Sequence, residues 1–100
     1  MNFIQLELSG GYLIKNTRKE DERGSFSRVF CTKVFKEYGL NTNWVQISSS
    51  YTKNKNALRG LHYQKDPYQE DKLIRCVKGS IWDVIVDIRK DSETYGKYYA

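Results

Sequence analysis

The sequence predicts a mostly β domain, a sandwich or a barrel, on three observations. Apolar and polar residues alternate in several short runs, clearest over Ile81–Arg89. Turn formers punctuate the chain at close intervals, as at Gly10-Gly11 and Lys78-Gly79-Ser80. Helical spacing occurs once, where Cys31, Val34, Phe35 and Tyr38 fall at i, i+3, i+4 and i+7.

The elements follow in order. Phe3–Leu8 alternates Phe3, Gln5 and Glu7 against Ile4, Leu6 and Leu8, a strand with one apolar face. Gly10-Gly11 makes a turn, and Tyr12–Lys15 a second short strand. Thr17–Gly24 is densely charged and reads as a loop, and Ser25–Phe30 as extended chain with Phe26 its most apolar member. A short helix follows, with Thr32 as N-cap and Gly39 as its stop. Trp44–Ser50, Leu58–Gln64 and Leu73–Val77 are predicted strands, separated by a polar turn over Tyr51–Asn56 and a loop over Lys65–Asp71 that holds the only proline, Pro67. In the strand Ile81–Arg89, Trp82, Val84, Val86 and Ile88 share one face, and Ile81, Asp83, Ile85 and Asp87 the other. A turn starts at Asp91-Ser92, and Tyr95–Tyr99 begins a further strand.

One hundred residues make one domain, residues 1–100. The net charge of +5 is compatible with phosphate-bearing partners, although bases and acids are interleaved, as in Glu20-Asp21-Glu22-Arg23, in the manner of a solvated surface. A hydrophobic share of 39% fits a folded domain rather than a disordered one. No apolar run is long enough to span a membrane, and Met1–Gly11 does not read as a signal peptide, so a cytoplasmic location is expected. Cys31 and Cys76 form no CxxC and are expected to be reduced, packed thiols.

The chemistry centres on Leu58-Arg59-Gly60-Leu61-His62-Tyr63-Gln64. His62 is the only histidine, the one side chain whose ordinary pKa lies near neutrality. A lone histidine is more often structural than functional, but Arg59 and Lys72 flank this one. A base with fixed cations is the minimum set for removing a proton beside a carbonyl and holding the charge left behind. Strict alternation would put Arg59 and His62 on opposite faces, so a shared pocket needs an irregular strand, and Gly60 is where that distortion costs least. Asp83 and Asp87 read as charge partners for Lys72, Arg75 or Arg89. One histidine cannot supply a histidine-rich metal set, so no metal or other cofactor is expected. Nothing pairs Cys76 with His62 as a nucleophile.

Several motifs then carry a resemblance: Asp21-Glu22-Arg23-Gly24-Ser25-Phe26, Val45-Gln46, Leu58–Gln64, Lys72-Leu73-Ile74-Arg75-Cys76, and Asp83-Val84-Ile85-Val86-Asp87-Ile88-Arg89. Their kinds and order resemble the dTDP-4-dehydrorhamnose 3,5-epimerase family, and Ser92-Glu93-Thr94-Tyr95-Gly96 resembles its Ser-Pro-Thr-Phe-Gly turn. The resemblance implies a cupin-like (jelly-roll) β barrel, incomplete in this chain, that is usually a homodimer and needs no metal. It implies epimerisation at carbons 3 and 5 of a nucleotide-linked 4-keto-6-deoxy sugar, in rhamnose and cell-surface polysaccharide biosynthesis. By the same resemblance His62 is the base and Lys72 stabilises the enolate oxygen. Arg59 and Arg23 hold the diphosphate or sugar, Gln46 and Ser48 contact the nucleotide, Phe26 joins the substrate-binding set, and Asp83 lines the site as a charge partner.

The sequence departs from the family pattern at Arg28, where a glutamate is usual, and at Gln46-Ile47-Ser48, where Gln-Asp-Asn is usual. The Tyr51–Asn56 loop is one residue longer. The family continues past the equivalent of Ala100, into a part that carries its tyrosine proton donor and the aspartate paired with the histidine. This chain is therefore expected to be the N-terminal part of an epimerase or a shortened relative, unable to invert carbons alone. Two other readings stand beside this one. A shortened barrel that binds a sugar nucleotide without turnover is the first. The second, a single-strand nucleic-acid binder, needs aromatics clustered with lysines on an exposed face, whereas Trp82 and Phe35 share faces with aliphatic residues. The ligand count generates one prediction: epimerase activity of the catalytically competent form survives a strong chelator. Loss of activity with chelator and its return with a divalent ion would overturn it.

Overall fold

The computed structural model describes residues 1–100. It is mostly β with one short helix: β1 (Asn2–Gln5), β2 (Tyr12–Lys15), β3 (Arg18–Asp21), β4 (Gly24–Ser27), α1 (Thr32–Glu37), β5 (Ile85–Val86) and β6 (Tyr98–Tyr99). The strands pair as three separate antiparallel two-stranded sheets, β1-β2, β3-β4 and β5-β6. The chain divides into two units, Met1–Cys31 with Lys78–Ala100, and Thr32–Val77.

In the first unit, β1 and β2 pair Asn2 with Lys15 through Gln5 with Tyr12. The predicted turn closes this ribbon, with Leu6 N–H donating to the Gly11 carbonyl at 3.0 Å and Gly11 N–H to the Leu8 carbonyl at 2.9 Å. Space at Gly11 is tight: a Cβ would meet the Leu8 carbonyl oxygen at 3.2 Å and Leu6 Cδ1 at 3.3 Å. The apolar face differs from the expected Ile4, Leu6 and Leu8. Phe3 and Leu8 are buried and Ile4 is exposed. Phe3 lies opposite Ile14, with its ring edge-to-face against Tyr12 at a centroid distance of 6.4 Å. Leu8 lies beyond the end of β1, where the chain bends and period-two alternation no longer applies.

The charged segment expected to be a loop is instead half of a hairpin. Arg18 pairs with Ser27 and Asp21 with Gly24, leaving Glu22-Arg23 as a two-residue turn. Asp21 caps the turn by accepting from Arg23 N–H at 2.9 Å. β3 is exposed along its whole length, so no apolar alternation marks it as a strand.

In the second unit, α1 buries Phe35, the most enclosed side chain of the protein. Its end carries the two bonds of a Schellman motif: Leu40 N–H to the Phe35 carbonyl and Gly39 N–H to the Lys36 carbonyl, both 3.0 Å. Gly39 has φ +66°, the left-handed conformation this cap requires.

The expected barrel is not closed. The segments predicted as strands over Trp44–Ser50, Leu58–Gln64 and Leu73–Val77 form no ladder, and only Ile85 and Val86 of the Ile81–Arg89 run are paired. Alternation sets which face a strand would bury, but the strand exists only when a neighbour takes its backbone groups. Without one, Val45, Ile47 and Leu58 are 90%, 92% and 93% exposed, and Trp82 is exposed as well. Cys76 is exposed for the same reason, against the expectation of a packed thiol, while Cys31 is half-buried.

The cap generates a prediction. Gly39→Ala puts an L side chain into the left-handed region at a cost of roughly 1–2 kcal/mol. Amide exchange of Leu40 should then accelerate about fivefold or more, with Gly39→Asn affected less. Unchanged exchange at Leu40 would show that the cap does not hold the helix end.

Candidate functional site

Five of the eight candidate residues belong to the second unit, and each makes only local contacts. The Leu58–Gln64 segment, expected to be a strand, is unpaired, and Gly60 within it has φ +88°. His62 is exposed. Arg59 is turned back to the preceding loop, with Nε donating to Thr52 Oγ1 at 3.3 Å and Nη2 to the Tyr51 carbonyl at 3.2 Å. Lys72 pairs with Glu70, Nζ to Oε1 at 3.0 Å, both side chains well exposed. Such an exposed pair is worth little in water. Gln46 Nε2 donates to Ser48 Oγ at 3.0 Å, which fixes two polar side chains on one short stretch.

The other three residues belong to the first unit. Arg23 stands at the tip of the β3-β4 hairpin, with Nη2 2.6 Å from Asp21 Oδ2 and Nε 3.4 Å from Oδ1. Hydrogen bonds from Arg23 hold the Asp21 carboxyl below its ordinary range, and Asp21 in turn raises the guanidinium. Phe26, on the returning strand, is 71% exposed, an apolar ring left facing solvent. Asp83 is exposed; of the three cations expected to partner Asp83 or Asp87, Lys72 pairs with Glu70 and Arg89 with Asp87.

The expectation for Asp87 holds, and the structure extends it. Its carboxylate is buried and accepts five hydrogen bonds. Oδ1 takes Arg89 N–H at 3.0 Å and Nε at 2.9 Å, while Oδ2 takes Arg89 Nη2 at 2.7 Å and the hydroxyls of Ser92 and Thr94 at 2.6 Å each. The Arg89 bonds first, then those from Ser92 and Thr94, hold this carboxyl far below the ordinary range. The backbone is closed across the same turn, with Asp87 N–H donating to the Lys97 carbonyl and Gly96 N–H to the Asp87 carbonyl. Sequence reading found the arginine but not the two hydroxyls. The available signal was the spacing of Ser92 and Thr94 after a strand-ending Asp-x-Arg.

No three His, Cys, Asp or Glu side chains gather in a way that could hold a metal ion. What the second unit offers chemically is an accessible imidazole, two accessible cations at Arg59 and Lys72, and a polar pair at Gln46 and Ser48.

Comparison with known proteins bears on what these groups serve. Residues 5–100 match the family model described as dTDP-4-dehydrorhamnose 3,5-epimerase. The chain is 46% identical over 99 residues to the dTDP-4-dehydrorhamnose 3,5-epimerase of Shigella flexneri, an alignment covering 98% of this chain and 54% of that protein. It is 42% identical over 96 residues to the enzyme of that name from Methanothermobacter thermautotrophicus, covering 96% and 51%. Identity to the Escherichia coli protein of that name is 38% over 99 residues, covering 98% and 53%. The chain spans about half the length of the curated relatives it matches. No solved structure matches it. No helix is long and apolar enough to cross a membrane.

The Asp87 cluster generates a pH prediction. The carboxyl's folded value lies below its unfolded value of ~3.9, so its contribution is fully present above that pH. The contribution is lost only as pH falls through the depressed folded value. The Asp87–Lys97 turn should therefore stay closed through the pH range where ordinary carboxylates titrate, as read from the amide shifts of Ser92, Thr94 and Gly96. Asp87→Ala should open it at neutral pH, because Arg89, Ser92 and Thr94 lose a shared acceptor. Matching spectra for the variant and the parent would refute this role.

Proposed function

This chain belongs to the dTDP-4-dehydrorhamnose 3,5-epimerase family, and from that premise we propose that it carries the base-bearing part of a sugar-nucleotide epimerase. The substrate is a thymidine-diphosphate-linked 4-keto-6-deoxy sugar, and the reaction inverts carbons 3 and 5. The observation that supports this most is the extent of the family match: residues 5–100 include every candidate site residue.

The chemistry follows from the ketone. A carbonyl at carbon 4 acidifies the protons on both neighbouring carbons, so one base serves both. His62 takes the proton, and the electron pair moves onto the carbonyl oxygen as an enolate. Lys72 supplies positive charge to that oxygen once it leaves its exposed pairing with Glu70. Arg59 and Arg23 bind the diphosphate or sugar as fixed cations. Gln46 and Ser48 meet the nucleotide, Phe26 offers its exposed ring to an apolar face of the ligand, and Asp83 lines the site as a charge partner. Inversion then needs a proton returned from the face opposite His62, by a second group. The working form in this reading is a homodimer of closed cupin barrels, in which the edges of β1 to β6 gain neighbours.

The test is solvent-deuterium exchange into a thymidine-linked 4-keto-6-deoxy sugar, followed by NMR in the catalytically competent form. His62→Asn should abolish exchange at both carbons beside the ketone. Lys72→Met should slow it by about 10²–10³-fold, the loss typical of one oxyanion-stabilising group. Exchange at near wild-type rate in His62→Asn would sink the assignment. Tight binding of the sugar nucleotide with no exchange in the parent protein would identify a binding module instead.

A further inference from the structure

The β3-β4 hairpin carries a cation that the candidate site does not include. Its register puts Lys19 directly opposite Phe26, and Asp21 opposite Gly24. Opposed residues of an antiparallel pair share a face, and so do residues two apart along one strand. Lys19, Asp21 and Phe26 therefore stand on one face of the ribbon, and Glu20 and Ser25 on the other. Phe26 is largely exposed on that face. The charges beside it are unequally committed. Arg23, at the tip, gives Nη2 and Nε to the Asp21 carboxylate at 2.6 and 3.4 Å, so the two form a neutral unit. Lys19 is exposed and makes no ion pair. An open cavity of about 380 Å³ runs along the hairpin, with Lys19, Asp21, Arg23, Ser25 and Phe26 in its lining. That volume falls at the lower end of the ~300–1,000 Å³ usual for small-molecule sites.

We propose that Lys19 is a further ligand-binding residue: its ammonium takes the phosphate charge of a nucleoside diphosphate whose flat part lies on Phe26. The proposal rests on the reading of the ligand as a sugar nucleotide. A diphosphate is drawn to a cation that is not already neutralised, and on this face that cation is Lys19 rather than Arg23. A lysine binds phosphate as a point charge on a flexible stem, so it needs no fixed fork geometry. Cross-strand partners have Cβ atoms about 4.5–5.5 Å apart, so a ligand covering the Phe26 ring brings its phosphates within reach of that stem. The ring supplies the stacking surface, which any base can use. Arg23, held by Asp21, orders the tip of the hairpin and keeps only Nη1 for the ligand.

The test is an NMR titration of the full chain with thymidine diphosphate and, separately, with thymidine, followed at the amides of Lys19, Ser25 and Phe26. The diphosphate should shift these amides saturably. Lys19→Met should weaken the diphosphate about fivefold, the worth of one exposed charge contact, and leave thymidine within about twofold. Lys19→Arg should keep most of the affinity, because it keeps the charge. Added salt should weaken diphosphate binding to the wild type more than to Lys19→Met. Lys19 is exposed, so the substitution leaves the ladder in place, and unchanged Asp21 and Gly24 amide shifts in the free variant check this. In the catalytically competent form Lys19→Met should raise KM about fivefold with kcat within about twofold, the pattern of lost uniform binding. No shift at the hairpin amides with the diphosphate, equal diphosphate affinity in Lys19→Met, or equal weakening of thymidine and its diphosphate would overturn the proposal. If the parent protein catalyses no exchange while the diphosphate still binds through Lys19, the epimerase reading fails and the phosphate contact stands.

Discussion

A β-strand is stable only when another strand accepts its row of backbone donors and acceptors, and that constraint governs this chain. Where two segments lie close in sequence and a tight turn joins them, the requirement is met: β1 with β2 through the Leu6–Gly11 turn, and β3 with β4 through Glu22-Arg23. Over Trp44–Ser50, Leu58–Gln64 and Leu73–Val77 no such neighbour is at hand, and the apolar residues that a barrel would bury stay in water. Phe3, Leu8 and Phe35 alone make up the buried hydrophobic set. Two-stranded ribbons are marginal by themselves.

The one long-range pairing is secured by polar chemistry rather than by a turn. β5 and β6 are separated by eleven residues, and the Asp87 carboxylate gathers Arg89, Ser92 and Thr94 around itself to hold that connection. A buried charge is tolerable only when its lone pairs are occupied. Here five donors occupy them, including the two nitrogens of one guanidinium fork. The motif that looked like a continuous strand in sequence is thus a two-residue strand followed by a charge-centred turn.

The candidate site has a different character. Its cations are each tied to a near neighbour in sequence: Arg23 to Asp21, Lys72 to Glu70, and Arg59 to the Tyr51-Thr52 stretch. These exposed contacts are weak in water and keep positive charge from being committed to a stronger structural pairing.

The sequence by itself determined the family, the mostly β character, the helix with its Gly39 stop, the Gly10-Gly11 turn and the Arg89 partner of Asp87. Each is local or carried by a specific motif, and short-range spacing or φ preference is enough to specify it. The candidate base and cations rest on the Arg59-Gly60-Leu61-His62 pattern and Lys72, which are visible without coordinates. Only the tertiary structure decided which of the predicted strands are paired. It also put Phe3 rather than Ile4 in the core, made Arg18–Asp21 a strand, and paired Lys72 with Glu70. Alternation says which residues could share a face, whereas pairing and burial depend on which backbone and side chains come near, and spacing along the chain does not contain that information.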